Sequence, residues 1–145
     1  MSKFLEVLMG RRLLTKKQEK LLAALNEKGK EAFFKNLLEV MYLKSSKDEA
    51  YRKSIENFSA TYVFEGEGKY DVVYFKRGKL MLSQKELKGE PDFKVAFKDE
   101  KGLYKFLLGE DKEYEDILQS NDISYKGNIN YIRRFTFMAR EALIS

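Results

Sequence analysis

A chain of 145 residues with a formal net charge of +5 has the length of one domain and should bury roughly 68–70% of its unfolded surface, a core large enough to stand without staples. It contains neither cysteine nor histidine, which excludes disulfides, thiolate chemistry, a Ser-His-Asp triad and a histidine-ligated zinc site, and leaves any catalysis to carboxylates, lysine or tyrosine. The charge excess sits at one end: residues 1–57 hold 13 Lys and Arg against 8 Asp and Glu, residues 58–145 hold 15 of each, a bias that suits a solvated lysine-rich helical face or a surface that meets anionic membrane.

No apolar run approaches the roughly 20 residues of a spanning helix. The opening MSKFLEVLMGRRLL is too charged for the apolar region of a secretion signal, so a soluble, cytoplasmic protein is expected and the sequon Asn57-Phe58-Ser59 reads as a chance match. Residues 1–57 read as a helical segment broken at Gly10 and Gly29. Thr15-Lys16-Lys17-Gln18 and Ser46-Lys47-Asp48-Glu49 have capping-box spacing and mark two helix starts. Between them Phe33, Leu37 and Val40, with Phe34, Leu38 and Met41, step by three and four into a wide apolar stripe; Leu21, Leu22 and Leu25 do the same earlier.

From Ser59 the period changes to two. SATYVFEGEGKYDVVYFKRGKLMLS reads as three antiparallel strands joined at Gly66-Glu67-Gly68 and Arg77-Gly78. The middle strand, Val72-Val73-Tyr74-Phe75, is apolar on both alternations and so needs cover on both faces, while the third offers Leu80 and Leu82 on one face and Met81 on the other. A loop over residues 85–91 ends in the only proline; Phe93, Val95 and Phe97 then share one face of a fourth strand. Asp99 caps a helix that buries Leu103, Phe106 and Leu107 and stops at Gly109. A two-turn helix with Tyr114, Ile117 and Leu118 follows, Asn121 stops it, residues 122–127 form a fifth strand, and Asn128 caps a closing helix with Ile132, Phe135, Met138, Ala139, Ala142 and Leu143 on one face. The order predicts an α+β fold: a five-stranded, mainly antiparallel sheet with helices packed on one face, residues 58–145, preceded by the N-terminal helical segment 1–57, which packs on it.

Reactive constellations are sparse. Glu65-Gly66-Glu67-Gly68 lacks the Lys-Ser/Thr ending of a phosphate loop and precedes a strand. The acidic pairs Asp99-Glu100, Glu110-Asp111 and Glu115-Asp116 fall at helix starts or on helix surfaces, where negative charge is favoured or solvated. Lys126 reads as an edge-strand lysine that discourages aggregation. Nucleic acid is not an expected partner, because the excess charge lies in the helical first third and the aromatic strands are charge-balanced. No metal site and no cofactor is implied. What stands out is apolar bulk: 11 Phe, 9 Tyr and 5 Met without a Trp, which either fills a core or lines a space for an apolar ligand.

Over about residues 59–144 the chain resembles the sterol carrier protein type 2 domain, a lipid-binding α+β family. The resemblance rests on PDFKVAFKDEKGLYKFLLGE, on YEDILQSNDISYKGNI and on KYDVVYFKRGKLMLS. The sequence departs from that pattern at Asn121, where the family usually has Gly, at Asn128, where it has an acidic residue, and in its longer helical start. What the resemblance implies is a sheet and helices enclosing an apolar tunnel for fatty acyl, sterol or isoprenoid chains, the closing helix near the entrance, and use either in lipid transport or as an accessory factor in quinone-lipid biosynthesis. The expected activity is non-catalytic lipid binding, with Tyr62, Phe64, Val72, Tyr74, Phe97, Phe106, Leu107, Leu118, Ile123 and Tyr125 on the wall and Ile132, Phe135 and Met138 as the lid. The basic N-terminal helices would make peripheral contact with anionic membrane. The alternatives are an interaction or regulatory domain with a solid core and an exposed apolar patch on residues 1–57, and an enzyme with polar residues converging in a cleft.

Overall fold

The structure, a computed structural model, describes residues 33–143. In chain order these form α1 (Phe33–Lys47), α2 (Glu49–Ile55), β1 (Ala60–Gly66), β2 (Lys69–Lys76), β3 (Lys79–Ser83), β4 (Phe93–Phe97), α3 (Glu100–Leu108), α4 (Asp111–Gln119), β5 (Ile123–Gly127) and α5 (Ile129–Ala142). The expected α+β class is observed. The expected breaks at Gly10 and Gly29, the cap at Thr15 and the stripe of Leu21, Leu22 and Leu25 lie outside the described residues.

The strands form one sheet in the order β3-β2-β1-β4-β5. The meander arises from two tight turns in which both central residues are left-handed: Glu67 at φ 50 and Gly68 at φ 71, then Arg77 at φ 48 and Gly78 at φ 81. Such turns match the natural twist of the strands they join. Every pairing is antiparallel except β1 with β4. That parallel pair follows from the path of residues 84–92, which must pass from edge strand β3 beyond β2 and β1 to reach β4's place. Tyr70 on β2 accepts the Leu87 amide at 3.3 Å. At the far end, Asp92 and Thr61 exchange two bonds: the Asp92 amide reaches the Thr61 carbonyl at 2.9 Å and the Asp92 carboxylate accepts the Thr61 amide at 2.8 Å.

Turn length sets which residues face the helices. The two-residue turn at Glu67-Gly68 places Tyr62 opposite Val73 and Phe64 opposite Asp71, so even positions of β1 share a face with odd positions of β2. The helix-facing surface is Tyr62, Phe64, Val73, Phe75, Leu80, Leu82, Phe93, Val95, Phe97, Ile123 and Tyr125. Val63 and Val72 lie on the other face and are buried as well, while Tyr74 beyond them is half-buried, so the far side of the middle strand is covered in part.

Against this surface α1 lays Phe33, Phe34, Leu37, Leu38 and Met41, all buried, and α5 lays Ile132, Phe135, Met138, Ala139 and Ala142. Both helices share one apolar cluster with the sheet. The caps at Asp99, which accepts the Gly102 amide, and Asn128, which accepts the Asn130 amide, stand where expected. The box at Ser46 does not form. The Asp48 carboxylate caps α2 by accepting the Tyr51 amide, and Ser46 donates to the Tyr42 carbonyl at the end of α1. A carboxylate outcompetes the hydroxyl two residues earlier because its bond to the amide is charge-assisted, and the amide and Lys44 hold the Asp48 carboxyl below its usual range.

Candidate functional site

The layer between sheet and helices has a filled centre and two margins. At the centre, Phe135 of α5 lies with ring centroids 5.1 Å from Phe64, 5.2 Å from Tyr62, 6.1 Å from Phe75 and 6.5 Å from Phe34. Phe34 and Phe64 are 4.5 Å apart. These are contact distances for aromatic pairs, so no alkyl chain passes between these rings. Two phenols tie α5 here: Tyr62 on β1 donates to the Tyr131 carbonyl at 2.6 Å and Tyr51 on α2 to the Met138 carbonyl at 3.0 Å. Burial pushes both hydroxyls far above the usual phenol range, Glu141 adding to the effect at Tyr51 and Tyr131 at Tyr62.

The margin along α1 and the end of β3 mixes apolar and polar groups. A cleft of about 820 Å³ opens there, with Leu38 and Leu82 on its apolar side and Lys69, Asp71, Gln84 and Glu100 among its polar groups. Glu100, the first residue of α3, is only 2% exposed. It stands at a helix start as expected, but buried. Its carboxylate accepts the Phe34 amide at 3.1 Å and the Lys69 ammonium at 3.3 Å, while its own amide donates to the Glu67 carboxylate at 3.1 Å. One buried carboxylate thus ties α1, α3 and the β1–β2 hairpin together. Burial raises the Glu100 pKa against the lowering pull of the Phe34 amide and Lys69, and burial likewise raises Asp71 against a hydrogen bond from Gln84. The two carboxyls are adjacent to a cleft, but Glu100 already holds structural partners, which marks it as a latch.

The margin along β5, α3 and α4 is aromatic. Tyr125 stacks on Phe93 at 5.5 Å and on Phe106 at 5.9 Å, and Phe106 stacks on Tyr114 at 5.6 Å. The ladder is exposed on one side: Tyr125 is 44% and Leu118 37% exposed, whereas Phe106, Leu107, Ile117 and Ile123 behind them are buried. Desolvation raises the Tyr114 hydroxyl pKa.

The residues expected on one wall therefore divide. Tyr62, Phe64, Ile132, Phe135 and Met138 belong to the centre, where Phe135 and Tyr62 are wholly buried. Phe106, Leu107, Leu118, Ile123 and Tyr125 belong to the aromatic margin, and Phe97 pairs with Ile123 beside it. Val72 and Tyr74 are not brought to either group: hairpin register turns them to the opposite face, together with Met81. A second cleft on that face, about 390 Å³, is lined by Tyr74, Met81 and Thr61 with Lys76, Arg77 and Asp92. Sequence reading missed Phe93 and Tyr114 as members of the ladder and Glu100 as a buried latch. Periodicity held the first two in view, since Phe93 shares strand parity with Phe97 and Tyr114 stands a helical step of three before Ile117. Among the described residues no group of three or more acidic side chains is placed to hold a metal ion, and no helix is long and apolar enough to cross a membrane.

No protein-family model matches the sequence, and no curated protein does. Solved structures do match. A ubiquinone synthesis protein, UbiJ-SCP2, is 18% identical with a TM-score of 0.54, over 77% of this chain and 89% of that one. Sterol carrier protein 2 from Yarrowia lipolytica in its apo form is 17% identical with a TM-score of 0.52, over 76% and 91%. The inverting sec-alkylsulfatase Pisa1 from Pseudomonas sp. contains a similar unit, 11% identical with a TM-score of 0.50 over 60% of this chain, although that unit is only 14% of the enzyme. The chain has the sterol carrier protein 2 fold.

Proposed function

We propose that this protein binds an apolar lipid, a fatty acyl, sterol-like or isoprenoid molecule, without chemical transformation, and that the lipid inserts at the aromatic margin between β5, α3 and α4. The single observation that supports this most is the Phe93–Tyr125–Phe106–Tyr114 ladder, half open to solvent and continuous with buried Phe106, Ile117 and Ile123, in a fold shared with one protein named as a sterol carrier and one named for ubiquinone synthesis. Flat rings partly exposed at a sheet margin suit hydrocarbon and ring systems of loosely specified shape. Hiding some 300 Å² of ligand hydrocarbon, at about 25 cal/mol per Å², gives on the order of 7 kcal/mol before association costs, so micromolar or weaker affinity is expected. The filled centre directs the ligand to the margin and away from the rings around Phe135.

Native mass spectrometry of the purified protein, followed by organic extraction, tests this reading. A co-purifying acyl or isoprenoid lipid, or uptake of added C16 fatty acid, is expected; a clean apo mass with no uptake contradicts it and favours an interaction domain. The basic segment before residue 58 is proposed to bring the site to anionic membrane, with vesicle binding that grows with anionic lipid and fades with salt; binding indifferent to both removes that part.

A further inference from the structure

We infer that α4 is the gate of the lipid site and that α5 is its fixed wall. The inference rests on the lipid reading above and reassigns the moving part from the closing helix, with its Ile132, Phe135 and Met138, to the shorter helix before it.

The two helices are held very differently. α5 buries five of its side chains and has two of its carbonyls, at Tyr131 and Met138, bonded to phenols from β1 and α2. Moving it would open the most densely packed part of the core and strand two buried hydroxyls. α4 has a single buried residue, Ile117. Among the described residues, no side chain of Asp111–Gln119 is shown hydrogen-bonded or ion-paired to another helix or strand. Its outer face carries Asp111, Glu115 and Asp116 to solvent. Local opening is expected where few apolar contacts and few tertiary hydrogen bonds hold an element.

α4 is nevertheless built to move as one piece. A capping box joins Glu110 and Glu113 at its start, and the Ser120 hydroxyl donates to the Ile117 carbonyl at its end, at 2.9 Å. Both flanks break the helical path. Gly109 is extended, at φ −71 and ψ 162, and a Cβ there would strike the Lys105 carbonyl; on the other side Asn121 stands at φ 64, a left-handed position that Asn tolerates better than most residues. Rigid body between two non-helical breaks is the usual layout of a hinged element.

The gate is held shut chiefly by apolar contact with α3, and its hinge by a long hydrogen bond from Arg140 of α5 to the Gly109 carbonyl, at 3.5 Å. Ile117 seats against Gly102 of α3, where a Cβ would lie 3.2 Å from Ile117 Cδ1 and 3.8 Å from its Cγ1. Tyr114 closes beside it by stacking on Phe106. Swinging α4 outward lifts Ile117 and Tyr114 together and uncovers Phe106, the inner rung of the aromatic ladder, leaving the Phe135 centre undisturbed.

The absence of cysteine makes the test clean. Cysteines at both positions, Gly102→Cys with Ile117→Cys, stand on facing sides of this contact, and with the disulfide verified by intact mass the same molecules can be compared oxidised and reduced. Uptake of a fluorescent C18 polyene fatty acid, followed by stopped flow, is expected to slow at least tenfold on oxidation and to recover with reductant. Hydrogen exchange on the wild type supplies a measurement without substitutions: amides of residues 115–119 should exchange at least tenfold faster than those of residues 133–142, and slow when the fatty acid is bound. Uptake at equal rates in the oxidised and reduced forms, or exchange of α4 and α5 in step, overturns the gate while the lipid reading stands. Absence of uptake by the wild type sinks both.

Discussion

The two margins of the helix–sheet layer close by different physics. Along β3 and α1 the closure is a hydrogen-bonded latch, with the buried Glu100 carboxylate holding the Phe34 amide and Lys69. Along β5 and α4 it is ring contact, anchored by one buried isoleucine. A buried amide deprived of its acceptor costs its full desolvation, so the Phe34–Glu100 tie does not open gradually. Stacked rings at a half-open edge separate gradually, and an arriving hydrocarbon replaces the contact that is lost. On the proposed lipid reading the aromatic margin is the one that opens reversibly, and between the two lies a centre filled by the rings around Phe135.

The largest effect should come from that centre. Phe135→Ala removes the ring at which four others meet and should cost about 3–5 kcal/mol in urea unfolding; a loss below about 1 kcal/mol would mean the centre is not filled. At the latch, Glu100→Leu removes the buried acceptor of the Phe34 amide and should cost about 1–3 kcal/mol. At the aromatic margin, Tyr125→Ala should change stability by under about 1 kcal/mol, since the ring is 44% exposed, yet weaken fatty acid binding roughly tenfold, as loss of one aromatic contact surface would. Equal stability losses at the two margins would erase the contrast. The smallest effect belongs to Tyr74→Ala, on the opposite face, which should leave fatty acid affinity unchanged in the same titration.

Acidity sharpens the same contrast. The Glu100 and Asp71 pKa values are raised in the folded protein, chiefly by burial, so the folded state binds these protons more readily than the unfolded chain. Their contribution to stability is therefore greatest below the ordinary carboxylate pKa and falls away as pH rises through the raised values. Asp48, held low by the Tyr51 amide and Lys44, works the other way, its stabilisation present above the ordinary pKa and lost as pH falls through the lowered one. A Glu100→Gln, Asp71→Asn variant should flatten the fall in stability from about pH 4.5 toward neutrality; a profile parallel to wild type would contradict the assignment.

Much of this fold is written in local pattern. Strand alternation, the three-and-four spacing of Phe33 to Met41, the caps at Asp99 and Asn128, and the glycine turns each depend on a few neighbouring residues, and each was legible in the sequence. The features that were not legible depend on pairing at a distance. Whether Val72 or Val73 faces the helices is decided by the two-residue turn at Glu67-Gly68, and counting back from that turn would have placed Val72 and Tyr74 on the far face. Glu100 reads as a first-turn acid on any helix; its burial depends on α1, 66 residues earlier in the chain. The parallel β1–β4 pair depends on a loop that crosses the sheet, and no local pattern marks it.

The account is tested most directly by titrating isotope-labelled protein with a C16 fatty acid and following side-chain NMR signals of the apolar and aromatic residues. It predicts that shifts concentrate on Phe106, Tyr114, Leu118, Ile123 and Tyr125, with Phe135 little moved. Shifts centred on Leu38 and Leu82, on the Phe135 rings, or nowhere at all would contradict it.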